Sequence, residues 1–173
     1  ATPDPCPPEL QRVDIAIVVD NSTSMNGTTG GAQTKLQAAI VAGKTLAGLL
    51  QLKADGTGDQ AAVISFNEFA KVNVPLTGDR AAVDAALESL PALQAPGTFI
   101  DRALQAGLDE LNSPRRRPGS TRSLVLVTDG KNNGDGARVL TLAAELRAAK
   151  VAVFTVGLGL EADIDAQLLR DIA

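Results

Sequence analysis

Histidine, tryptophan and tyrosine are absent from this 173-residue chain, as is any second cysteine, and phenylalanine occurs only four times. Each shortage closes off some chemistry. Without histidine there is no imidazole to act as acid or base. With one cysteine, no intrachain disulfide can form and no Cys/His zinc cluster can be assembled. With so few aromatics, Val, Ile, Leu and Ala must fill the interior, and the chain is long enough to bury a core as one domain. No apolar stretch approaches the ~20 residues that a membrane span requires, so direct membrane insertion is not expected. The chain does not open on a signal peptide, although one removed upstream of residue 1 is compatible with it. Asp and Glu outnumber Lys and Arg, giving a formal charge of −4. That balance offers no basic field for nucleic acid, and Arg115-Arg-Arg117 does not reverse it.

The most informative segment present is Val13-Asp-Ile-Ala-Ile-Val-Val19 followed by Asp20-Asn-Ser22-Thr-Ser24. An apolar, β-branched strand ends and three oxygen-bearing side chains follow at alternate positions. Alternate residues of an extended segment point the same way, so Asp20, Ser22 and Ser24 can converge just beyond the strand. A similar strand-then-acid junction occurs at Leu124-Val-Leu-Val-Thr-Asp129-Gly130, and Thr98 in Pro96-Gly-Thr-Phe-Ile-Asp101 adds a further hydroxyl. One metal site built from Asp20, Ser22, Ser24, Thr98 and Asp129 would be oxygen-only. That donor set suits hard cations: Mg²⁺ or Mn²⁺ first, with Ca²⁺ as a further option.

The surrounding pattern predicts strands over 13–20, 61–66, 71–76, 123–128 and 151–156. Helices are expected over roughly 34–52, 79–90, 100–111, 136–149 and 163–172. The short link between the second and third strands calls for an antiparallel pair, and Pro75 places the third strand on a sheet edge. Asp79 and either Thr98 or Asp101 are the expected helix caps, and Pro114 stops the helix before it. The expected fold class is α/β: a Rossmann-like, doubly wound, mainly parallel sheet with one antiparallel edge strand and helices on both faces. In such sheets ligands bind at the carboxyl ends of the strands, where Asp20 and Asp129 fall.

The Asp20-x-Ser22-x-Ser24 loop, Gly97-Thr98 and Thr128-Asp129-Gly130, in this order on this frame, resemble a von Willebrand factor A domain, the fold shared with integrin inserted domains. The resemblance spans residues 13 to 172. It implies a metal-ion-dependent adhesion site in which Ser22 and Ser24 bind the cation directly. Thr98, Asp20 and Asp129 would bind directly or through water, and one position would stay open for a partner's Asp or Glu carboxylate. A metal-dependent protein-binding module, extracellular or on a cell surface, is therefore expected. The alternative is a cytoplasmic accessory domain that docks a subunit of an ATPase or metal-chelatase complex. Catalysis is not expected: there is no nucleophile–base pair, and Lys131 is the one nearby group that could serve as a base.

Residues 1–12, with Pro3, Pro5, Pro7 and Pro8, read as an extended linker leading to the domain at 13–173. Cys6 within it is expected to be exposed, either as an unpaired thiol or as a bridge to a partner or to further chain. Family members continue with another strand and a final helix that this sequence does not contain. The strand at 151–156 is thus expected to expose an edge that another molecule, including a second copy, would cover. The Gly-rich loop at 25–33 lies beside the metal loop and could shape partner choice. Gly27 to Gly31 with Lys35 lack the Gly-Lys-Ser/Thr core of a phosphate loop. Asp129 to Asp135 lack the closing Glu of an EF-hand. Arg115-Arg-Arg117 between two prolines is expected to be a solvated loop.

Overall fold

The structure, a computed structural model, describes residues 12–28, 30–160 and 164–173. The linker and Cys6 lie outside the described residues, apart from Arg12. Strand β1 (Val13–Asp20) is followed by helix α1 (Lys35–Leu49), strands β2 (Gln60–Phe66) and β3 (Ala70–Thr77), and helix α2 (Arg80–Glu88). Helix α3 (Ile100–Leu111), strand β4 (Thr121–Thr128), helix α4 (Gly136–Ala148), strand β5 (Val151–Gly157) and helix α5 (Ala166–Ile172) complete the order. The start expected for the last helix, Asp163, lies outside the described residues; Asp165 caps the helix that is seen, accepting from the Leu168 amide.

The sheet has five strands in the order β3-β2-β1-β4-β5. β1 runs parallel to β2 and β4, and β4 runs parallel to β5. β3 is antiparallel to β2 and lies on the edge, as Pro75 and the short link require, with register shifts around Val63. Alternation along β1 sorts the core into two faces. Ile15, Ile17 and Val19 pack with Leu36, Ala39 and Ala47 of α1 and Val83 and Leu87 of α2. Ala16 and Val18 face the other way, towards Leu104 of α3, Leu142 of α4 and Leu169 of α5. The chain winds outward from β1 through β2 to one side and from β4 through β5 to the other. The reversal therefore lies between the carboxyl ends of β1 and β4, where an open α/β sheet leaves a crevice.

Close packing between helices and sheet depends on glycine at two points. A Cβ on Gly43 of α1 would stand 3.0 Å from Leu87, and one on Gly107 of α3 would stand 2.3 Å from Leu124. At the opposite edge, β5 pairs with β4 alone among the described residues, and Phe154 and Val156 are exposed at 55% and 42%.

Two expectations fail here. Arg115-Arg-Arg117 is not simply a solvated loop. Arg117 folds back onto Asp14, a fully buried carboxylate inside the apolar run of β1, with Nη2 to Oδ1 at 3.0 Å and its own amide to Oδ2 at 2.9 Å. Arg115 grips Glu110 through Nε and Nη2 at 2.9 and 2.6 Å. Burial alone would raise the Glu110 carboxyl, but Arg115 and the Leu76 amide outweigh it and hold Glu110 below the ordinary glutamate range. Neither Thr98 nor Asp101 caps α3. The cap position is Phe99, without a side-chain bond, and the Ile100 amide donates instead to Asn132 Oδ1 at 3.1 Å from another loop. Asp79 does cap α2, accepting from the Ala81 and Ala82 amides.

Candidate metal centre

β1 ends on Asp20, whose carboxylate turns back over the strand end. Its Oδ1 accepts the Ser22 amide at 2.8 Å, an Asx turn that bends the chain so that Ser22 and Ser24 come round to the same side. A short 3-10 turn over Thr23–Asn26 follows, anchored by the fully buried Met25. Ser22 Oγ and Ser24 Oγ lie 2.8 Å apart, and Ser24 Oγ donates to Asp129 Oδ1 at 2.7 Å. The first and third predicted loops are thus joined in one chain of oxygens across the β1–β4 seam.

Thr98 arrives from a third direction. It is 5% exposed and rests against the Asp129 loop so closely that a Cβ on Gly130 would stand 3.0 Å from Thr98 Oγ1. Asn133 pins the two loops together: its Oδ1 accepts the Thr98 amide at 2.9 Å, and its own amide donates to the Thr98 carbonyl at 2.8 Å. The structure therefore brings all five expected residues to the winding reversal. Ser22, Ser24 and Asp129 are hydrogen-bonded in series, while Asp20 and Thr98 flank them.

Asp20 is fully buried, and burial pushes its carboxyl above the ordinary aspartate range. The hydroxyl of Thr128, donating to Oδ2 at 2.5 Å, and the bonds from Ser22 pull the other way. The charge of nearby Asp129 adds to the rise. Asp129, 2% exposed, receives on its Oδ2 the Nζ of Lys35, at 2.7 Å. Lys131 is exposed; Lys35, not Lys131, is the lysine that reaches the site.

A divalent cation fits this donor set. Among the described residues no three His, Cys, Asp or Glu side chains converge, and the hydroxyls of Ser22, Ser24 and Thr98 are the oxygens available beside the two carboxylates. The hydrogen bonds of 2.8 and 2.7 Å between Ser22, Ser24 and Asp129 bring three oxygens within reach of one ion. Neutral hydroxyls with two carboxylates are also the hard-oxygen chemistry that Mg²⁺ and Mn²⁺ select.

Four residues of the centre were not singled out for it by sequence. Thr128 hides at the end of an apolar strand, Asn132 and Asn133 look like ordinary loop polars, and Lys35 resembled only a phosphate-loop remnant. One signal was available for Lys35: a cation in the first turn of a helix faces the positive end of the helix dipole and needs a local reason to be there.

The model of the von Willebrand factor type A domain matches residues 14–173. The chain belongs to that family. No curated protein matches the chain. Among solved structures, an aerotolerance-related membrane protein from Bacteroides fragilis is 27% identical with a TM-score of 0.71, covering 86% of this chain and 68% of its own. Proximal thread matrix protein 1 from the mussel byssus, with a zinc-occupied metal-ion-dependent adhesion site (MIDAS), is 24% identical with a TM-score of 0.75, covering 94% and 39%. Manganese-loaded TRAP protein of Plasmodium vivax is 22% identical with a TM-score of 0.71, covering 94% and 63%. The last two share the fold, and both were solved with a divalent metal. The von Willebrand factor A domain seen here has the mixed, mostly parallel sheet of that fold.

Proposed function

We propose that this von Willebrand factor A domain is a divalent-cation-dependent protein-binding module. Asp20, Ser22, Ser24, Thr98 and Asp129 would hold the cation, with Mg²⁺ or Mn²⁺ preferred and Ca²⁺ tolerated. A cation held largely by neutral hydroxyls retains enough charge to draw in an external anionic oxygen. The ligand is accordingly a protein that offers an Asp or Glu carboxylate. The observation carrying this reading is the Ser22–Ser24–Asp129 oxygen chain, with Thr98 and Asp20 beside it at the winding reversal. The zinc- and manganese-loaded neighbours support it.

The chain's own residues prepare the site. The Asp20 turn orients the Ser22 hydroxyl, Thr128 fixes the Asp20 carboxylate, and Asn133 holds Thr98 in place. A binding role rather than turnover is favoured by the absence of histidine. An extracellular or surface setting is supported by the membrane and byssal-thread proteins among the neighbours. No described helix is long and apolar enough to cross a membrane.

Thermal unfolding in EDTA and in millimolar Mg²⁺, Mn²⁺ or Ca²⁺ tests the site, because a ligand that binds only the folded state raises its apparent stability. Mg²⁺ and Mn²⁺ should raise the midpoint for the wild type and not for Asp129→Ala. Equal midpoints with and without metal in the wild type would count against the reading.

A further inference from the structure

Lys35 is the first residue of α1, and its position is tightly set. Thr34 and Gln37 form a reciprocal capping box that fixes where the helix begins, and the Lys35 amide donates to the Gly27 carbonyl at 2.8 Å. The side chain then runs through a slot between two loops. A Cβ on Gly27 would lie 3.7 Å from Lys35 Cε, and one on Gly159 would lie 3.3 Å from Lys35 Nζ. Gly159 also has φ +124°, so a larger residue there is opposed by backbone strain as well as by space. The slot delivers the ammonium onto Asp129 Oδ2 at 2.7 Å, with the lysine side chain 14% exposed and the carboxylate fully buried.

The ammonium sits at the positive end of a helix, where it is electrostatically disfavoured, and it contacts the carboxylate that most directly joins the metal-binding chain. Both oxygens of Asp129 are thereby engaged, one by Ser24 and one by Lys35. An arriving dication meets an Asp129 whose charge is already balanced, and it is repelled by a fixed positive charge beside it.

We propose that Lys35 is a tethered cation that competes with the divalent ion for Asp129. It stabilises the metal-free domain, lowers the affinity for the divalent ion and thereby sets the concentration at which the site fills. The inference rests on the metal-binding reading above and deepens it.

Calorimetric titration of the whole chain with MnCl₂, alongside unfolding midpoints in EDTA, tests it on wild type, Lys35→Met, Lys35→Gln and Asp129→Ala. Methionine keeps the length and apolar stem of lysine without its charge. Lys35→Met and Lys35→Gln should bind Mn²⁺ about tenfold or more tightly than wild type, as removal of a like charge in contact predicts. In EDTA both should melt below wild type, because Asp129 loses its counter-ion, and saturating Mn²⁺ should close that gap. Binding by Lys35→Gln decides the matter if Lys35→Met does not fold. Wild type and Lys35 variants binding Mn²⁺ equally, or the variants binding more weakly, would overturn the role given to Lys35 while leaving the metal site intact. No Mn²⁺ binding by any of the proteins would overturn the site itself.

Discussion

Thr128 at the end of β4 donates its hydroxyl to Asp20 Oδ2 at the end of β1, 2.5 Å away and fully buried. Two parallel strands thus share one hydrogen bond at the point where a cation would sit. That bond, with the Ser22 amide, only partly offsets the cost of burying the Asp20 charge, which leaves the carboxyl raised. A raised acid holds its proton more firmly in the folded than in the unfolded state. Its contribution to stability is present below the unfolded value of 3.8 and is lost as pH rises through the higher folded value. Once ionised, Asp20 is a buried charge that a cation would relieve. Asp20→Asn should melt no lower than wild type in EDTA at pH 7, and should lose the metal-induced rise. Mn²⁺ affinity of the wild type should fall as pH is lowered through the raised Asp20 range, because binding releases that proton. An affinity that does not fall on acidification would contradict this.

The Arg117–Asp14 pair makes a second prediction, far from the site. Asp14 is fully buried and Arg117 has 12% of its side chain exposed. Removing the guanidinium leaves a buried carboxylate short of its countercharge, a change that costs about 3–5 kcal/mol when no other donor compensates. The Arg117 amide and the Ser120 hydroxyl remain as donors to Asp14, so Arg117→Ala should lose about 2–4 kcal/mol in urea unfolding. A loss below about 1 kcal/mol, the range of an exposed pair, would show that the contact is not formed as described.

Asn133 supports Thr98 without being a proposed ligand. Its double bond to the Thr98 backbone should make Asn133→Ala weaken Mn²⁺ binding by about tenfold or more while the domain stays folded, as loss of a ligand's supporting partner typically does. Unchanged affinity by calorimetry would mean that Thr98 does not contribute to the cation.

The β5 edge exposes Phe154 and Val156, and among the described residues no strand pairs with its outer side. Such edges pair readily with another chain. Sedimentation of the 173-residue chain should show concentration-dependent association, and Phe154→Lys should reduce it. A wild type that stays monomeric at high concentration, with β5 amides strongly protected from exchange, would argue against an available edge.

Most of the architecture was legible because β1 and β4 are apolar runs that end on oxygen-bearing residues, and because Pro75 and a short link betray the antiparallel edge. The five candidate ligands were legible because Asp20, Ser22 and Ser24 alternate at a strand end and Thr98 and Asp129 open comparable loops. What could not be read were contacts between residues far apart in sequence. Lys35 and Asp129 are 94 positions apart, and Arg117 and Asp14 are 103 apart. The cap of α3 was missed for the same reason: its first amide is satisfied by Asn132 from another loop, not by a neighbouring residue.

The most direct test of the central claim is the amide NMR spectrum of the chain during titration with substoichiometric Mn²⁺, whose unpaired electrons broaden signals according to distance. Signals of Ser22, Ser24, Thr98 and Gly130 should disappear first and together, while those of Phe154 and Arg117 persist, and Asp129→Ala should abolish the selective loss. Uniform broadening, or loss that begins elsewhere, would contradict a metal centre at the junction of β1 and β4.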